Sequence, residues 1–129
     1  MRRLRFTRLT STLASILIVV TLPSQGRGHA FPVRSEPRVG WRIAASPTRV
    51  IIWFDGELEP AFSTITVYNS AKQRVDKGNS RVNSSDATVL EVDLSALPSG
   101  TYRVYWSVVS KDTHRTEGDF AFTIEGKSP

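Results

Sequence analysis

The sequence predicts an all-β domain, an immunoglobulin-like Greek-key sandwich or barrel of about seven strands. Three observations predict this class. Short apolar runs rich in Val, Ile, Phe, Trp and Tyr recur along residues 33–124, separated by turn residues at regular spacing. Within the longest runs, apolar and polar residues alternate with the period of a half-buried strand. No run carries a convincing helical period.

Taken in order, residues 33–36 read as a first edge strand. Residues 50–54 (VIIWF) are β-branched and aromatic, which suits a buried strand. Residues 65–68 alternate and stop at Asn69-Ser70, and residues 73–76 read as a short partner strand ended by Lys77-Gly78-Asn79. Residues 89–94 (VLEVDL) form another strand, and Pro98-Ser99-Gly100 a turn. Residues 101–110 form the longest strand, with Tyr102, Val104, Trp106 and Val108 on one face. Phe120, Phe122 and Ile124 alternate on the last strand. The stretch Leu97 to Tyr102 fits the corner before a penultimate sandwich strand, where a Tyr hydroxyl bonds back to the main chain. Trp41, Trp53 and Trp106 read as core or interface aromatics, and residues 126–129 as a short polar tail.

Ahead of this domain, residues 1–28 have the organisation of a secretory signal. Arg2, Arg3, Arg5 and Arg8 precede an apolar stretch at residues 13–22, too short to span a bilayer comfortably. Gly26-Arg27-Gly28 then places small residues at the −3 and −1 positions of a cut before His29. The expected mature domain is residues 29–129, exported to the periplasm and without a membrane span. The leader carries five of the 17 basic residues and none of the 12 acidic ones, so the mature domain balances 12 against 12. The basic excess belongs to export and gives no support to a nucleic-acid surface. Cysteine is absent and the single methionine is Met1, so the mature chain has no disulfide and no sulfur ligand.

The chain has two histidines. Cleavage before His29 would give that residue a free α-amine beside its imidazole, a ready chelate for a divalent metal. His114 closes the triplet Asp112-Thr113-His114 just past the longest strand. In an extended segment residues two apart project from the same side, so Asp112 and His114 can address one ion together. The donor set His29, Asp112 and His114 is rich in nitrogen and oxygen, which suits a tetragonal Cu(II) centre and not soft Cu(I). No Ser-His-Asp set and no Gly-rich phosphate loop can be assembled from the remainder.

Several segments together resemble the CopC family of periplasmic copper-binding proteins. They are His29-Ala30-Phe31-Pro32, Ser35-Glu36-Pro37, Trp53-Phe54 with acids following, and Pro60-Ala61-Phe62-Ser63. They continue with Leu97 to Trp106, Val109-Ser110-Lys111-Asp112-Thr113-His114, Gly118, and Phe120 to Ile124. The resemblance spans residues 29–124 and implies an immunoglobulin-like fold with copper held by His29, Asp112 and His114. It also implies a partner, an inner-membrane copper importer of the CopD type, and a role in copper homeostasis or resistance without enzymatic activity. Many members carry a Glu two residues after the strand-ending Phe, which orients the N-terminal amine. Here Phe54 is followed by Asp55-Gly56-Glu57, so Gly56 stands in that place, and Asp55 or Glu57 is expected to take over the supporting role. The methionine-rich Cu(I) site of some members is absent. Two rival readings remain: a copper monooxygenase acting on polysaccharide through an N-terminal histidine, and a metal-free sandwich serving adhesion or assembly.

Overall fold

The computed structural model describes residues 29–126. The leader expected over residues 1–28 and the last residues of the tail lie outside the described residues. Eight strands run in the order β1 (Pro32–Glu36), β2 (Arg42–Ile43), β3 (Arg49–Phe54), β4 (Thr64–Tyr68), β5 (Arg81–Val82), β6 (Val89–Asp93), β7 (Gly100–Val109) and β8 (Arg115–Ile124). They form two four-stranded sheets, ordered β1-β3-β6-β5 and β2-β8-β7-β4. The chain crosses between the sheets repeatedly, so most strand neighbours are distant in sequence, as a Greek-key sandwich requires. Among the described residues there is no α-helix, and no helix is long and apolar enough to cross a membrane.

Alternation decides what fills the space between the sheets. Val50, Ile52 and Phe54 of β3 point inward, as do Ile65 and Val67 of β4, and Tyr102, Val104 and Val108 of β7. Phe120, Phe122 and Ile124 of β8 close the core, with Leu90 and Val92 of the central strand β6. Glu91, between them, is nearly buried because Arg81 lies 3.1 Å and Arg49 3.8 Å from its carboxylate. Tyr102 stacks on Phe122, and its hydroxyl donates to the Pro98 carbonyl at 2.6 Å, the corner expected from the sequence.

Several expectations need correction. Residues 73–76 form no strand. Arg74 and Asp76 make single bridges to Tyr68 and Leu94, and the Asp76 carboxylate takes the place of main-chain pairing by accepting from Val67 N–H at 2.9 Å. Strands β2 and β5 are two residues each, too short to leave a pattern. Strand β8 begins at Arg115, well before its apolar residues, because its polar half is paired with β7 through Val109↔Arg115. Trp41 is half exposed beneath Arg38, and Trp53 lies beneath Arg34 at 3.8 Å on the outer face of its sheet. Only Trp106 packs against the core, edge-on to Phe54. Its indole occupies the space over Gly118, where an added Cβ would sit 2.6 Å from the ring, so residue 118 has to be glycine.

Two features of this frame set up one end of the sandwich. Strands β7 and β8 form a hairpin paired from Gly100↔Ile124 to Val109↔Arg115, and residues 110–114 are its turn. The start of β1 lies beside the end of β3, through Pro32↔Phe54. The segment before β1, the acidic loop after β3 and the hairpin turn therefore meet at the same end.

Candidate metal centre

The hairpin turn is fixed by its own main chain. Ser110 N–H donates to the His114 carbonyl at 2.9 Å, and Thr113 N–H donates to the Ser110 carbonyl at 2.9 Å. Thr113 adopts a left-handed conformation with φ of 76°, so the chain doubles back within three residues. The pairing of Asp112 with His114 comes from this reversal. An extended segment, the geometry expected from their spacing, is not what brings them together. His114 Nδ1 lies 3.2 Å from Asp112 Oδ2, and both side chains are largely exposed. The other carboxylate oxygen, Oδ1, accepts a short hydrogen bond from the Ser110 hydroxyl. That hydroxyl holds the Asp112 carboxyl below the usual carboxylate range; slight desolvation opposes the effect and His114 adds to it.

His29 is brought to the same place from the other end of the chain. Ala30 is 1% exposed, and its carbonyl accepts from the Thr116 hydroxyl of β8 at 2.6 Å. One residue on, Phe31 N–H donates to Asp55 Oδ1 at 2.7 Å, and Asp55 N–H returns a bond to the Phe31 carbonyl at 3.0 Å. The strap at residues 30–31 is thus tied to both sheets. Exposed His29 lies with its ring centroid 4.9 Å from that of His114, edge to face.

The acidic loop supports the arrangement in two ways. Asp55 holds the main chain of Phe31. Glu57 uses its main-chain carbonyl, which accepts from Lys111 N–H at 3.1 Å, while Leu58 bridges Ser110. Among the described residues no hydrogen bond or ion pair reaches the Glu57 carboxylate. Gly56 faces Ala30, 3.7 Å from where its own Cβ would stand, so the position lies against the strap.

All three sequence-predicted ligands therefore converge. They do not close into a cage: among the described residues no group of three or more His, Asp or Glu gathers tightly enough to hold an ion by side chains alone. Cleavage before His29, as expected from the sequence, would add a main-chain amine on that residue and complete the set. Two imidazoles, an amine and one carboxylate oxygen fit a single divalent ion of nitrogen preference. The site is an exposed end of the sandwich and not a cavity. A hollow of about 580 Å³ lies elsewhere, on the outer face of the β4–β7 sheet beside Tyr68 and Tyr105. Sequence reasoning missed two residues. Ser110 stands two positions before Asp112, a spacing that could have suggested its bond. Thr116 meets Ala30 across 86 residues, and no local pattern reports such a contact.

Comparisons with known proteins agree with this architecture. Residues 32–125 match the CopC domain, a span that contains Asp112 and His114 and begins just after His29. The crystal structure of CopC from Methylosinus trichosporium OB3b is 33% identical and superposes with a TM-score of 0.69, covering 78% of this chain and 98% of that one. The structure of PcoC, a methionine-rich copper resistance protein from Escherichia coli, is 28% identical with a TM-score of 0.66, covering 75% and 99%. The copper transport protein CutJ of Bacillus subtilis is 34% identical over 110 residues, which are 84% of this chain and 20% of CutJ. The chain thus spans about a fifth of that relative's length. Protein YobA of Escherichia coli K12 is 29% identical over 98 residues, 75% of this chain and 79% of YobA. The chain belongs to the CopC domain family, whose members are copper-binding carriers and not enzymes.

Proposed function

We propose that this protein is an exported copper carrier whose mature chain starts at His29 and holds one Cu(II). The ligands are the His29 amine and imidazole, the His114 imidazole, and a weaker oxygen from Asp112. The observation that carries this reading is the approach of the His29 and His114 rings, 4.9 Å apart although they come from opposite ends of the domain. The only two histidines of the chain meet, and the Asp112 carboxylate lies 3.2 Å from one of them. Imidazole nitrogen outranks a lone carboxylate oxygen as a Cu(II) donor, so the histidines anchor the ion and Asp112 completes it. Asp55 supports the site by fixing the strap that delivers His29; Glu57 supports it through its main chain.

The carrier works in the periplasm, in copper homeostasis or resistance, and passes its ion to an inner-membrane importer of the CopD type. The relation to CutJ supports such a partner, since that copper transport protein is about five times as long as the matched segment. The test is copper stoichiometry and electron paramagnetic resonance on protein with an authentic His29 amine. One equivalent of Cu(II) in a nitrogen-rich tetragonal spectrum is expected. Absence of tight Cu(II) binding by that protein would overturn the reading.

A further inference from the structure

We infer that Ser110 is the positioning residue of this site: its buried hydroxyl occupies Asp112 Oδ1, so the carboxylate turns a single oxygen, Oδ2, toward His114 and any ion held there. The inference rests on the copper site proposed above and adds a residue to which that proposal gives no role.

The contrast in burial is the starting point. Asp112 and His114 are exposed side chains, the kind that lose orientation in solution unless a neighbour holds them. Ser110 is 4% exposed. Its main chain is held on both sides, by the bonds to His114 and Thr113 and by the bridge to Leu58. A hydroxyl has one proton to give. Its acceptors include Asp112 Oδ1 and, at 3.2 Å, the His114 carbonyl. The bond to the carboxylate is charge-assisted and the one to the carbonyl is not, so the proton goes to Asp112. With Oδ1 engaged, the rotation of the carboxylate is fixed and Oδ2 is the oxygen beside His114 Nδ1. A carboxylate tied in this way is a one-oxygen donor. Such a one-oxygen donor would suit a tetragonal Cu(II) ion held mainly by nitrogen.

The inference separates from a merely structural role of Ser110. The turn is built from the main chain of Ser110, which alanine retains, so Ser110→Ala keeps the fold. A supporting hydrogen bond of this type typically contributes roughly 10- to 100-fold to metal affinity. The experiment uses the mature protein as wild type, Ser110→Ala, Asp112→Ala and the double variant. Each is titrated with Cu(II) against a competing chelator and examined by electron paramagnetic resonance. Ser110→Ala is expected to bind about tenfold more weakly with shifted parallel hyperfine coupling. In the Asp112→Ala background, Ser110→Ala should change neither quantity, because Ser110 acts through that carboxylate. Wild-type affinity and spectrum in Ser110→Ala would overturn the inference. Additive losses in the double variant would overturn it too. Failure of the wild type to bind Cu(II) at all would instead strike the copper site.

Discussion

The strap that delivers His29 can be cut at one atom. Thr116→Val keeps the shape and branching of the side chain and removes the hydroxyl that donates to the Ala30 carbonyl at 2.6 Å. That carbonyl belongs to a residue only 1% exposed, so water cannot replace the donor while the strap stays in place. Leaving a buried acceptor unpaired costs about 1–3 kcal/mol. The cost can be relieved by lifting residue 30 off β8, which carries His29 away from His114. At 1.4 kcal/mol per decade, the binding-competent fraction falls by roughly 5- to 150-fold. The Phe31–Asp55 pair stays intact and limits the movement, so the loss should fall near tenfold. The assay is chelator competition with Cu(II) on mature protein, with Thr116→Ser as the variant that restores the donor. Thr116→Val with an affinity within about twofold of wild type, in a protein where His114→Ala abolishes binding, would show that the strap does not deliver His29.

Other outcomes follow from the same geometry. N-terminal sequencing of exported protein should begin at His29, and one extra residue before it should weaken Cu(II) binding severely by converting the amine to an amide. His114→Ala should cost more affinity than Asp112→Asn; the reverse order in a competition titration would make the carboxylate the anchor. Cu(II) should bind far more tightly than Cu(I), since the mature chain has neither cysteine nor methionine; an equally tight Cu(I) complex would contradict the donor set. Copper should be released in mild acid as protons compete for the amine and both imidazoles. Asp112 does not contribute in that range. Its carboxyl is held low, so its bonds to Ser110 and His114 persist above the unfolded-state value and are lost only as pH falls through the lowered one.

The fold was legible where burial imposes a period. Strands β4 and β7 follow from alternation, β3 and β6 from their runs of apolar residues, and the Tyr102 corner from one turn. It was illegible where pairing is imposed from outside: β2 and β5 exist because neighbours offer an edge, and the polar half of β8 because β7 continues beside it. For the site, the identity of His29, Asp112 and His114 could be read from scarcity and spacing. How they meet could not. The reversal at Thr113 leaves no apolar trace, Asp55 reaches Phe31 across 24 residues, and Thr116 reaches Ala30 across 86. The arginines over Trp41 and Trp53 make the same point, since an indole on an outer face has the sequence signature of one in the core.

The convergence of the two chain ends has a mechanical consequence. An ion shared by His29 and His114 closes nearly the whole domain into a ring, as a covalent cross-link would. For a ring of this size the chain-entropy model gives about 4.5 kcal/mol of restriction on the unfolded ensemble. The domain has no cysteine to provide such a tie, so its cargo would serve as one. The loaded form would then resist heat and proteolysis that the empty form does not, by an amount that grows with free copper. A carrier built this way is sturdy while charged and loosens at its leading end on delivery, so the empty protein is the one most readily cleared.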